Sequence, residues 1–169
     1  MIKRLTYTFI IIIFILLFTA STIKISNNKP INTLPIKEKE NVGKIIIDKI
    51  NLDRNLYKID SPKNNIEENV TILKESTPPT TENSIMILAA HSGPGKIAYF
   101  NLLDKLELND SITLIYEGQK FSYIVKSIWE ENKNGYINFN KEKEKQLILT
   151  TCSPTNKKKQ LVINCIEKN

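Results

Sequence analysis

Three residue types are scarce in this chain of 169 residues: it has two cysteines, one histidine and one tryptophan. No Cys/His cluster has the spacing of a zinc site, and no Asp-x-Asp loop marks a calcium site, so no metal or other cofactor is expected. Internal repeats are absent. A strong charge of one sign is absent too. Lys and Arg number 24 against 18 Asp and Glu, for a net charge of +6, and Lys3 and Arg4 supply two of those charges close to the N-terminus. The remainder is a diffuse excess with no basic helix or aromatic-basic stripe, so no nucleic-acid partner is expected. It suits an anionic surface such as a cell wall or outer-leaflet headgroups, or no specific partner at all.

What is present begins with an uncharged apolar run over residues 5–23. At about 1.5 Å per residue it roughly spans a ~30 Å hydrocarbon core. Lys3 and Arg4 precede it, so the positive-inside rule places the N-terminus in the cytoplasm and everything after Lys24 outside. A cleaved signal peptide is the competing reading, but the apolar stretch is long for one and Thr19 and Ser21 match an Ala-x-Ala site poorly. Either way the rest of the chain is exported. Residues 26–41 carry Pro30, Pro35 and a Lys/Glu cluster and read as a spacer. The expected organisation is a cytoplasmic tail and transmembrane anchor over 1–24, a linker over 25–42 and a folded domain over 43–169.

The folded part is dominated by short runs rich in Ile, Val, Leu and Tyr, most of them bounded by Asn, Asp, Gly or Pro. Strands are expected over 44–47, 56–59, 70–73, 84–89, 111–116, 121–128, 146–151 and 160–166. Gly118 sits where a hairpin between the fifth and sixth runs needs positive φ. Short helical turns are expected over 64–69 and 98–106, the latter from Tyr99, Leu102, Leu103 and Leu106 at helical spacing. About eight strands with few helices suggest an all-β domain, a closed barrel or a sandwich, and closure would remove the sheet edges that an exported domain must otherwise protect.

His91, the only histidine, follows the apolar run Ile85-Met86-Ile87-Leu88-Ala89-Ala90 and precedes Ser92-Gly93-Pro94-Gly95. A rigid strand would hold it and a loop would expose it. A lone histidine at a strand end is nevertheless more often structural than chemical. Cys152 repeats the arrangement, ending Gln146-Leu147-Ile148-Leu149-Thr150-Thr151 before the turn residues Ser153-Pro154-Thr155-Asn156. Thiol chemistry needs the thiolate or a base poised to make it, and imidazole is the usual partner, so Cys152 and His91 form a candidate pair. Attack on an amide also needs something to steady the oxyanion. The run Lys157-Lys158-Lys159 is most simply a solvated turn, but its place after the cysteine keeps a functional reading open. Cys165 lies deep in the last run. If that run pairs with the Cys152 strand, Cys165 is about 16 Å from the active end at ~3.3 Å per residue, beyond the ~7 Å that a disulfide allows. It reads as a small buried side chain. Trp129 and the pair Tyr99-Phe100 read as core or loop anchors, with Tyr99 a candidate floor for a substrate groove.

At this point the residues resemble the sortase family. Ile148-Leu149-Thr150-Thr151-Cys152 matches the family's Thr-Leu-x-Thr-Cys motif in all but the first Thr. The segment from Ser84 to Gly93 looks like the family's strand-His segment, and 99–110 is similar to the stretch that follows it. Residues 42–52 resemble the first strand, with Asp48 where proline is common. The resemblance covers residues 42–166. It implies an eight-stranded closed β-barrel and a cysteine transpeptidase. Cys152 would attack an LPXTG-like sorting signal, and His91 would act as acid and base. An amine acceptor such as a peptidoglycan cross-bridge would then release the thioacyl intermediate. Thr151, Ala90, Ser92 and Tyr99 are the expected substrate-binding residues. One departure matters: the family's Arg at the start of the last strand falls on Gln160, which lacks charge and the guanidinium fork. Lys159 is the possible substitute, although alternation sends it to the opposite face. Gln160 also raises the alternative of a slow or inactive member that only binds sorting signals. No Asp-Pro-aromatic lid precedes the domain and no second apolar span follows it, which weighs against the pilin-polymerising subclass. Residues 129–145 are too short and polar for the helical insertion of the iron-acquisition type.

Overall fold

The computed structural model describes residues 40–168. Its eight strands are β1 (Asn41–Ile47), β2 (Leu52–Tyr57), β3 (Thr71–Ile72), β4 (Ile85–Ala89), β5 (Ser111–Tyr116), β6 (Gln119–Asn132), β7 (Gln146–Cys152) and β8 (Lys159–Glu167). They form one sheet in the order β2-β1-β5-β6-β8-β7-β4-β3. Every neighbouring pair is antiparallel except β4 and β7, which run parallel. The two edge strands, β2 and β3, approach each other but share no ladder. The barrel is therefore nearly closed, where the sequence suggested full closure. Asn64 guards the exposed edge at the seam: its side-chain amide takes both the N–H and the C=O of Ile72, groups that an unpaired edge would otherwise offer to another chain. The expected tail and membrane span, and nearly all of the linker, lie outside the described residues. Among the described residues no helix is long and apolar enough to cross a membrane.

All eight expected strands form, with shifts of boundary or length in β1, which starts at Asn41 instead of residue 44, and in three others. β2 starts at Leu52 instead of residue 56, because only Leu52 and Leu56 point inward and the polar Asp53, Arg54 and Asn55 are exposed along the edge. β3 shrinks to two residues. β6 runs on to Asn132, its end pairing with the start of β8. The helical expectation over 98–106 reduces to one 3-10 turn, Leu103–Lys105, and the one over 64–69 to a single turn closed by Asn69 N–H to Asn65 C=O at 2.8 Å. The β5–β6 hairpin turns through Glu117 and Gly118, both at positive φ (49° and 81°), the geometry that matches the twist of the flanking strands.

The core explains why β4, β7 and β8 read as unbroken apolar runs. Met86, Leu88 and Ala90, with Leu147, Leu149, Leu161, Ile163 and Cys165, fill the barrel interior. The alternate residues Ile87, Ile148 and Val162 are buried as well, on the outer face, under Ile137 and Phe139 and beside Trp129. A sheet covered on both sides has no polar face to alternate with. Trp129 reaches that outer face because of a bulge. The β6–β8 register slips between Val125 and Ser127, so Phe121, Tyr123 and Val125 point inward while Trp129, an odd-numbered residue beyond the slip, points outward. One extra residue reverses every side chain that follows it.

Candidate active site

Cys152 ends β7, and His91 follows β4 by two residues. The parallel register pairs Ala89 with Thr150, so two further residues on each strand bring His91 level with Cys152. Three bonds hold the chains side by side beyond the ladder. Ala90 N–H donates to Thr150 O (3.4 Å), Thr151 Oγ1 to Ala90 O (2.7 Å), and Ser92 Oγ to Cys152 O (2.9 Å). Alternation from the inward Met86, Leu88 and Ala90, and from Leu147 and Leu149, sets His91 and Cys152 both on the outer face. Two residues 61 apart in sequence thus share one end and one face of the barrel.

The imidazole and the sulfur have separate partners. His91 Nε2 lies 3.1 Å from Glu67 Oε1, and Cys152 Sγ accepts a hydrogen bond from Lys133 Nζ at 2.9 Å. Among the described residues no hydrogen bond joins His91 to Cys152. Because Glu67 engages Nε2, Nδ1 is the ring nitrogen left for proton transfer. Tyr99 steadies the Glu67 turn, its hydroxyl donating to Glu68 O at 3.1 Å while Arg54 lies 4.5 Å above its ring. Tyr99 thus packs behind the imidazole's partner.

The other expected site residues fall as follows. Gln160 pairs directly with Cys152 across β7 and β8, the slot read from the sequence. Its amide donates to Glu131 Oε1 (3.0 Å) and to Tyr136 O (2.8 Å), so both of its N–H groups are spent on the β6–β7 segment. Burial alone would push the Glu131 carboxyl up, but hydrogen bonds from Asn138, Gln160 and Trp129 outweigh it and hold that carboxyl below its ordinary range. Lys159 pairs with Asn132, and the β7–β8 register is unbroken through Cys152 and Gln160, so no bulge turns Lys159 onto the sulfur's face. Ala90 is 2% exposed and its N–H and C=O are bonded to Thr150 and Thr151, so it belongs to the core and holds the strand ends together instead of facing a substrate. Thr151 is also buried, locking the two strand ends together through Ala90. Ser92 links the two loops through its bond to Cys152. Cys165 is a free thiol, fully buried opposite Leu147. Cys152 is free as well, as the spacing required, and burial pushes the Cys165 thiol up.

One concavity adjoins this end and a second runs along the outer face of β4. A cleft of about 590 Å³ is lined by Ser92, Gly93, Asp104, Lys133, Cys152 and Lys157, among others. A second groove, of about 750 Å³ and mostly apolar, runs over the outward Ile85 and Ile87 of β4, between Leu73 and the segment bearing Tyr136, Ile137 and Phe139. From Ile87 to His91 along the strand is about 13 Å at ~3.3 Å per residue.

The sequence reading missed Lys133 and Glu67. Both sit in polar stretches where a charged residue is ordinary, and each reaches the site only through long-range structure: the bulge in β6 for Lys133, the turn packed on Tyr99 for Glu67.

Fold and site together define a nearly closed β-barrel with a free thiol and an imidazole at the level ends of adjacent parallel strands. The sortase domain family matches residues 45–167, and the chain belongs to the sortase family. Its fold is similar to that of sortase C1 from Streptococcus agalactiae (24% identity, TM-score 0.67, covering 82% of this chain and 72% of that one). It is also similar to sortase C from Streptococcus pneumoniae (22%, 0.69, 79% and 70%) and to a lid mutant of sortase A from Corynebacterium diphtheriae (19%, 0.68, 79% and 74%). Among curated proteins, none matches the chain.

Proposed function

We propose that the chain is a cysteine transpeptidase that cleaves an LPXTG-like sorting signal and joins the released acyl group to an amine acceptor such as a cell-wall cross-bridge. The observation that carries this reading is the placement of Cys152 and His91 on one outward face of parallel β4 and β7. The Cys152 thiol gives its proton to His91 Nδ1 and its sulfur forms a bond to the scissile carbonyl carbon. The C=O pair moves to oxygen, then returns as the C–N bond breaks. The departing amine takes the proton from the imidazolium, leaving a thioester. An incoming amine reverses the sequence with a new acyl acceptor. The substrate's amide nitrogen would lie between the two side chains, so they need no direct bond at rest. The apolar groove along Ile85 and Ile87 suits the aliphatic part of such a peptide. Membrane anchorage through residues 5–23, with the domain outside the cell, fits a wall-linked acceptor. The S. pneumoniae relative has pilin substrate specificity, which makes a lysine-bearing pilin a second acceptor to try.

A binding protein without turnover is the second reading, favoured by the neutral Gln160 opposite Cys152. A peptide-library assay on the full chain with an added amine separates the two. Turnover predicts cleaved and amine-joined products that vanish in Cys152→Ala; binding alone predicts affinity with no product from either protein.

A further inference from the structure

Acyl transfer to sulfur concentrates negative charge first on the sulfur and then on the carbonyl oxygen, and the donors that meet that oxygen usually supply the largest share of catalysis. Around Cys152 the obvious donors are already engaged. The N–H of Ser153, next in the chain, donates to Lys159 O at 3.0 Å, and that of Gly93 to Asn101 Oδ1 at 2.9 Å. Gln160 is tied to Glu131 and Tyr136. Arg54, the only arginine among the described residues, lies over Tyr99. Two lysines line the cleft, Lys133 and Lys157, and it is Lys133 whose Nζ lies 2.9 Å from the sulfur.

We infer that Lys133 is a catalytic residue, the positive charge that accompanies the negative charge from Cys152 sulfur to the substrate oxygen. This rests on the transpeptidase reading given above.

The fold explains why a residue distant from the cysteine motif takes this role. Up to Val125, odd-numbered residues of β6 face the barrel interior. The slip at Lys126 reverses them, so Trp129, Glu131 and the next odd residue, Lys133, share the outer face with Gln160 and Cys152. Glu131 pairs with Gln160, and Gln160 with Cys152, forming a row across three strands. Lys133 stands two residues beyond Glu131, its N–H fixed on Lys158 O at 3.0 Å. From there its long side chain crosses the end of β8 to the sulfur. Gln160, by holding Glu131, keeps a carboxylate occupied that would otherwise compete for the ammonium. An ammonium has three donors on a flexible stem. It can release the sulfur as the S–C bond forms and follow the charge to the oxygen, and no proton need leave it.

Two measurements on the full chain test this, with Lys133→Met and Lys133→Arg. The first compares alkylation rates of Cys152 by iodoacetate, which is anionic, and iodoacetamide, which is neutral. A cation at the sulfur favours the anionic reagent. The iodoacetate-to-iodoacetamide ratio should fall several-fold in Lys133→Met and hold in Lys133→Arg; an unchanged ratio in Lys133→Met overturns the assignment. The second measures sorting-peptide turnover. Lys133→Met should lower kcat by about 30-fold or more with KM within about twofold, and Lys133→Arg should recover most of the loss. A Lys133→Met enzyme at full kcat overturns the inference. If the wild-type chain turns over no peptide, the transpeptidase reading fails, yet the alkylation ratio still decides whether the Lys133 charge sits at the sulfur.

Discussion

His91 and Glu67 illustrate how magnitude separates a chemical role from a supporting one. On the transpeptidase reading the imidazole carries the proton from thiol to leaving amine. Its removal in His91→Ala should cost about 10²–10⁴-fold in kcat/KM. The Glu67 carboxylate is 68% exposed, and an exposed pair is worth about 0.2–1 kcal/mol. Glu67→Gln should therefore cost no more than about fivefold. Steady-state kinetics on the two variants checks both, and a larger loss in Glu67→Gln would mean that the pair is shielded when substrate is bound. That Cys152 and His91 both stand at strand ends was legible in the sequence because each ends an apolar run and begins a loop; that the two ends lie level on one face follows from the β4–β7 register. Lys133 was not legible. Its role depends on the parity of β6 beyond a bulge, and nothing in Trp129-Glu130-Glu131-Asn132-Lys133 announces where the extra residue lies.

Among the elements, the strands that build the site were the easiest to read. β4, β7 and β8 are buried on both faces, so their sequences are continuous apolar runs with sharp ends, and the expected bounds hold within a residue or two. β2 and β3 were harder because edge strands carry polar residues and take part of their hydrogen bonding from side chains such as that of Asn64. Full closure was over-read for the same reason: strand count fixes the size of a barrel, but whether the last pair zips depends on the seam. Close packing elsewhere makes one point vulnerable. A Cβ at Gly43 would overlap the Ile115 carbonyl oxygen on β5, at the end of the β1–β5 ladder where Gly43 pairs with Tyr116. Gly43→Ala should destabilise the domain by about 1–3 kcal/mol, seen as a lower midpoint in thermal or urea unfolding, while the relative rates of Cys152 alkylation stay as in the wild type. An unaltered midpoint would show that β1 shifts freely.

Across the whole molecule, net charge is modest and the acid limit of stability falls to a few carboxylates. Hydrogen bonds hold Glu131 below its ordinary range against the pull of burial. Burial likewise opposes ionisation of Asp110, but its bonds from Lys49 and from the Glu107 N–H win. A carboxyl lowered by folding contributes stability that is present above its unfolded value and lost as pH falls through its folded value. Unfolding midpoints should therefore drop on the acid side, and Glu131→Gln should flatten part of that drop. A curve of unchanged shape would place the acid sensitivity elsewhere.

The molecule as a whole exists, on this reading, to bring one sulfur and one imidazole to a shared face. The most direct test is intact-mass analysis of acid-quenched single turnovers, with the full chain in excess over an LPXTG-like peptide. The expected result is a thioester adduct on Cys152 that forms in the wild type, is lost in Cys152→Ala, and builds up at least about a hundredfold more slowly in His91→Ala. An adduct at another residue, or one that forms equally fast without His91, would contradict it.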